Sequence, residues 1–479
     1  MNYYAWRGIG MEAVLIFIDG TICDMRHRIP AMGTEKFFSE ENLAKDKPTQ
    51  GSVECLNELA EVYELVYIGA RPDIYTDATL RSLIERALDH NKDMLIAAAR
   101  VKEMAAQKRI STAALLPDIK GKVTGERELE NHGGDAFKRS DTFEAQFLVS
   151  WEVDLWGNLR WARSASIAEY LQSIEAQRAL RMTIVAEVAQ AYYELVALDT
   201  ELDIVKQTLK AREEGVRLAR IRFAGGLTSE TSYRQSQVEL ARTATLVPDL
   251  ERKISLKEND IAFLAGEYPN KIARSRLLQE FKSPETLPIG LPSTLLERRP
   301  DIRQAEQKLI AANAKVGVVY TNMFPRLALT GGFGSESTSL SELLKSPYAV
   351  MEGALLTPIF GWGKNRAALK AKKAAYEVEV HNYEKSVLQA FKETRNAIVN
   401  FNKIKEVYEL RANLERSAKS YMELAQLQYI NGVINYLDVL DAQRGYFDAQ
   451  IGLSNAIRDE LITVVQLYKA LGGGWKQNP

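Results

Sequence analysis

The chain has 479 residues, 26% of them charged, and a formal net charge of −1, a balance that argues against nucleic acid as a general electrostatic partner. It is long enough for two or three domains with a large core, and the lack of any run of about 18 apolar residues excludes a membrane-spanning helix. Cys23 and Cys55 are the two cysteines, and His27, His90, His132 and His381 are scattered without zinc-ligand spacing. No catalytic, cofactor or metal site is expected from them.

In chain order, the apolar stretch Ala13–Ile18 is too short for a secretory signal and ends in Asp19 and Gly20. From Phe143 to Leu155 the odd positions are Phe143, Ala145, Phe147, Val149, Trp151, Val153 and Leu155, and the even ones Glu144, Gln146, Leu148, Ser150, Glu152 and Asp154. That period of two over some 13 residues suits a tilted membrane-barrel strand; a two-sided strand on a soluble sheet is the other reading. Asn158 to Ala224 contains Gly215 as its single glycine and no proline, which predicts one helix of about 100 Å at 1.5 Å per residue. A turn at Ala224, Gly225 and Gly226 and a returning helix follow, with a kink expected at Pro248. Pro284, Pro288, Pro292 and Pro300 mark a linker. A weaker alternation (Leu327, Leu329, Phe333), a second glycine-free run from Gly363 to Asn431, a turn at Gly432 and another returning helix complete the chain.

These landmarks form a duplication. Trp156 and Trp362, Gly157 and Gly363, Phe223 and Tyr429, and Gly226 and Gly432 each differ by 206 positions. The expected domains are residues 1–72, a first repeat at 73–283 and a second at 284–479, with Gly157, Gly226, Gly363 and Gly432 as turn landmarks. Two strand pairs give four strands per chain, too few to close a membrane barrel, and an open edge in lipid leaves backbone groups unsatisfied. Three chains would supply twelve, an allowed even number. The fold class expected is therefore mostly α with membrane β, assembled as a homotrimer.

The stretch Leu291–Glu306, containing Glu297, Arg298, Arg299, Pro300 and Asp301, and then Ala311–Ala314 and Phe324-Pro325, resembles the signature of TolC-like outer-membrane factors of tripartite efflux pumps. Asp77 with Leu80, Leu83 and Ala87 is similar to that family's entry helix, and Gly432–Gln443 to its periplasmic helix-turn-helix. The resemblance implies a twelve-stranded barrel in outer-membrane lipid and a periplasmic α-helical tunnel. It also implies docking to a periplasmic adaptor protein and an inner-membrane transporter, with no reaction catalysed. A periplasmic gate is implied at Tyr429, Asp438 and Asp441. The two aspartates are three apart and share a helix face, and a trimer would stack them into carboxylate rings. The other reading of Asp438 is a helix cap beside Asn435. Ile434 replaces an arginine of the family pattern, so apolar packing is expected to tether the tyrosine, and Ser232 stands where the first repeat can carry an aspartate.

The front end differs. Ala13–Asp24, Arg26–Arg28, Asp46–Pro48 and Val66–Pro72 resemble a haloacid-dehalogenase-like phosphatase of the polynucleotide branch. Phe17 occupies the place of the nucleophilic aspartate and Gly69 that of a hydroxyl residue. Without the nucleophile no aspartyl-phosphate forms, so residues 1–72 are expected to be an inactive fragment. A bifunctional phosphatase-channel and a soluble coiled-coil scaffold are the rival functions. The Phe143–Leu155 alternation speaks against the scaffold.

Overall fold

The computed structural model describes residues 4–8, 11–15, 23–24, 47–48, 77–130, 133, 138–275, 278–281, 298–356 and 361–473. Two short antiparallel pairs lie near the N-terminus: β1 (Tyr4–Gly8) with β2 (Met11–Leu15), and β3 (Cys23–Asp24) with β4 (Lys47–Pro48). Phe17, Asp19 and Gly69, on which the phosphatase-like reading rests, lie outside the described residues, as do Pro284, Pro288 and Pro292.

From residue 77 the order is α1 (Ala78–His90), α2 (Lys92–Ala113), β5 (Asp118–Glu130), β6 (Lys138–Val153), α3 (Asn158–Ala224) and α4 (Glu230–Leu264). The pattern then returns as α5 (Pro300–Thr321), β7 (Arg326–Ser337), β8 (Pro347–Leu356), α6 (Trp362–Ile430) and α7 (Tyr436–Ala470). The helix expected over 158–224 is present with those bounds, and Pro248, the site of the expected kink, lies inside α4. Among the described residues no helix is long and apolar enough to cross a membrane.

The chain forms two compact units. The unit made of residues 93–180 and 300–389 holds a four-stranded antiparallel meander, β5-β6-β7-β8. Leu116-Pro117 and Phe324-Pro325 each immediately precede a strand, because proline supplies no ladder N–H and belongs at a strand's start. The Trp156 indole stacks on Phe324 at 5.1 Å and donates to the Pro325 carbonyl at 2.7 Å, anchoring the start of β7. Gly157 has φ +80°, a left-handed conformation that glycine adopts without a Cβ clash. The Asp154 carboxylate then caps α3, accepting from the N–H groups of Leu159 (3.1 Å) and Arg160 (3.0 Å). Gly363 is not equivalent: it lies in the first turn of α6 and has no positive φ. At the position that matches Asp154 the second repeat carries Phe360, whose side chain offers no acceptor.

The other unit contains residues 1–92, 181–299 and 390–479. Its core is fully buried around Leu80, Leu83, Tyr192, Leu195, Ile261, Val464 and Leu467. The Asp77 carboxylate caps α1, accepting from Thr79 N–H at 2.7 Å and Leu80 N–H at 3.0 Å. It also accepts from the hydroxyls of Tyr192 and Ser275. Buried Arg299, from the signature stretch, donates to Glu393 (2.6 Å) and to the Ala470 carbonyl (3.2 Å).

Candidate functional site

Both long helices end in the same turn. The Gly226 N–H bonds to the Phe223 carbonyl (2.9 Å) and Leu227 N–H to Arg222 (2.8 Å); Gly432 and Val433 repeat this with Tyr429 (3.0 Å) and Gln428 (2.9 Å). This is the Schellman arrangement, which needs a left-handed residue at its centre. Gly226 and Gly432 supply it at φ +71° and +74°. The helices after the turns start differently. Asp438 accepts the Asn435 N–H at 3.0 Å and closes a capping box on α7, whereas Ser232 lies 3.5 Å, hydroxyl to hydroxyl, from Ser229 at the start of α4.

The three residues expected at the gate, Tyr429, Asp438 and Asp441, sit about this second turn. Tyr429 is half-buried and packs on Tyr436 with ring centroids 5.3 Å apart. Asp438 and Asp441 are both exposed on α7. Asp438 therefore carries the capping role together with its exposed charge, while Asp441 is not part of the cap. The tether of Tyr429 is not apolar packing alone. Position 434 is isoleucine, yet the Arg222 guanidinium from α3 lies over the Tyr429 ring at 4.7 Å. A cation reaches the tyrosine from the other repeat.

Beneath the turns lies a cluster the residue pattern did not disclose. Glu239 on α4, with its side chain 3% exposed, accepts from Arg212 on α3 (2.7 Å) and Arg444 on α7 (2.6 Å). The Arg444 hydrogen bond holds the Glu239 carboxyl below the usual carboxylate range, and the Arg212 charge adds to this. The same bond raises Arg444, with the charge of Asp441 contributing. One carboxylate thus ties three helices. Its signal in the sequence is the stripe Ser236, Glu239, Thr243 and Leu250, whose helical spacing puts a glutamate among core positions. Gly215 has its reason here as well: a Cβ would meet the Tyr436 hydroxyl at 3.2 Å. Burial raises that hydroxyl's pKa.

In the sheet, directly opposed residues point to one face. The register puts Ile119, Val123, Phe147, Val149, Trp151, Leu329, Phe333, Met351 and Leu355 together on a solvent-accessible apolar face. Lys122, Glu144, Gln146, Thr330, Tyr348 and Glu352 share the opposite, polar face. There Glu144 accepts from Lys122 (3.1 Å), Thr124 (3.2 Å) and Tyr348 (2.5 Å). Apolar outside and polar inside is the pattern of a membrane-barrel wall.

Comparison with known proteins agrees. The family model described as outer membrane efflux protein matches residues 83–267 and 291–473. The solvent efflux pump outer membrane protein SrpC of Pseudomonas putida is 32% identical over 84% of this chain and 87% of its own. Outer membrane protein OprJ of Pseudomonas aeruginosa is 33% identical over 84% and 85%. The crystal structure of the Campylobacter jejuni CmeC outer membrane channel superposes with a TM-score of 0.80 at 27% identity, covering 85% of this chain and 88% of that one. The expected fold class, long helices with membrane β, stands. The chain belongs to the outer membrane efflux protein family and is an outer-membrane efflux channel subunit.

Proposed function

We propose that three copies close one twelve-stranded barrel and one helical tunnel, forming a passive duct by which small molecules leave the periplasm. The observation that carries this is the four-stranded sheet with an apolar outer face and with β5 and β8 at its edges. An edge strand in hydrocarbon costs several kcal/mol per unsatisfied backbone group, on the order of the values for buried polar groups, and pairing β8 of one chain with β5 of the next removes that cost. The helices have the same need: α6 buries five of its 69 residues within the single chain. Docked to a periplasmic adaptor protein and an inner-membrane transporter, the duct draws its energy from the transporter and catalyses nothing itself. The likeness to the solvent efflux relative supports a small-molecule cargo. Tyr429, Asp438 and Asp441 are its periplasmic gate, and the two domains of the channel are the repeats 73–283 and 284–479.

Residues 1–72 are, in this reading, an inactive phosphatase-like piece, since Phe17 supplies no nucleophile. They lie outside both ranges matched by the family model. The test is reconstitution. Detergent-purified protein should have the mass of three chains and give discrete conductance steps in planar bilayers, and it should leave phosphomonoesters intact in magnesium. A stable monomer with full strand content and no conductance would refute the channel, and magnesium-dependent hydrolysis lost in Asp19→Asn would refute the inactive front end.

A further inference from the structure

The outer end of the first hairpin carries a charge arrangement that a duct does not require. Arg127 pairs with Asp141 and Leu129 with Arg139 in the β5–β6 ladder. By the alternation of the strands these four residues share the face of Phe143, Phe147, Val149 and Trp151. They lie just past the apolar band, where the strands end away from the helices.

Asp141 accepts from both arginines: from Arg127 Nε at 2.7 Å and Nη2 at 3.3 Å, and from Arg139 Nη2 at 2.6 Å and Nε at 3.1 Å. The arginine side chains remain 59% and 52% exposed, the aspartate 22%. Among the described side chains one carboxylate faces the two guanidiniums, which leaves this trio one positive charge in excess. Glu126 and Glu128 alternate to the other face of the strand. Neither Nη1 group takes part in these bonds, which leaves donors of both arginines directed elsewhere. A cation on the lipid side of a barrel is unfavourable at the midplane and tolerated only near the headgroups. At that level the anionic partner available is phosphate on lipid, and arginine recognises phosphate bidentately.

We propose that Arg127 and Arg139 form a docking site for the phosphorylated headgroup of an outer-leaflet lipid. Asp141 holds the two guanidiniums in place, and the acyl chains lie along the Phe143–Trp151 band. The site rests on reading the sheet as a membrane-barrel wall.

The test is native mass spectrometry of the full-length trimer in detergent containing bisphosphorylated lipid A, its dephosphorylated counterpart, or inorganic phosphate as competitor. Lipid adducts are expected on the wild type, weakened by roughly tenfold or more in Arg127→Gln/Arg139→Gln through loss of charge-assisted bonds. Lys122→Gln on the polar face should leave them unchanged. Asp141→Asn, which removes the compensating charge, should strengthen them, an effect that a folding defect does not produce. Equal adducts with dephosphorylated lipid, or undiminished adducts on the double variant, overturn the proposal. Displacement of the lipid by millimolar inorganic phosphate would make this a soluble-anion site and overturn it too. If no trimer forms at all, that is visible in the mass before any adduct is scored, and the barrel-wall reading fails with the site.

Discussion

The guanidinium of Arg222 lies 4.7 Å from the ring centroid of Tyr429, so a side chain of α3 holds the aromatic residue at the end of α6. The contact ties together the two repeats at their turns, and it restores by another route the cation that Ile434 removes from the family pattern. Cation–π contacts of this kind contribute about 0.5–1 kcal/mol at exposed sites.

Arg222→Gln should therefore loosen the closed state by a few-fold. Single-channel recordings are expected to show a higher closed-state conductance or more frequent opening, with Arg222→Lys intermediate. Unchanged traces would place the restraint elsewhere, with the Glu239 cluster the next candidate.

Asp438 and Asp441 should separate. Asp438→Ala removes the capping-box acceptor and should cost about 1 kcal/mol of helix stability, while Asp441→Ala leaves the cap intact. Asp438→Asn keeps an acceptor oxygen and deletes the charge. The double variant Asp438→Asn/Asp441→Asn should thus lose cation preference and divalent-ion block with little change in melting temperature. A lowered melting temperature with unaltered selectivity would assign both residues to structure.

Glu239 governs acid sensitivity. Its carboxyl is held below the usual range by Arg444 and then Arg212. The stabilisation it contributes is present in full above the unfolded glutamate value of about 4.3 and is lost as pH falls through the depressed folded value. Wild-type protein should lose stability below that point, whereas Glu239→Gln should be less stable at neutral pH and flatter in acid. The neutral-pH loss is expected to be on the order of 3 kcal/mol, because two arginines are left without their buried partner. A melting temperature within a degree of wild type would contradict this.

Gly432→Ala forces a side chain into a left-handed turn at φ +74° and should cost about 1–2 kcal/mol; Gly432→Asn should cost less. Gly215→Ala introduces a different fault, a Cβ 3.2 Å from the Tyr436 hydroxyl. Tyr436→Phe should relieve that fault in Gly215→Ala and leave Gly432→Ala untouched. Thermal melts of the four variants check the pairing.

The sequence by itself determined the large features of this protein, because they rest on local chemistry. Helix α3 has its expected ends because nothing between Asn158 and Ala224 breaks a helix except the tolerated Gly215, and Gly226 ends it. The period of two from Phe143 onward assigned a membrane-facing strand, and the 206-residue offset placed its partner repeat. Gly363 misled, since a glycine matched by offset takes its conformation from its neighbours, and Phe360 cannot cap as Asp154 does. Tertiary structure alone decided what lies beside what. Arg222 meets Tyr429 across 207 positions, and Arg444 meets Glu239 across 205. Asp141 meets Arg127 because the ladder sets them opposite, whereas Arg139 is its i−2 neighbour on the same face of β6. The helical stripe marks Glu239 as a core position but names no partner for it, because an arginine in a helix pattern reads as solvated surface until another element is packed against it.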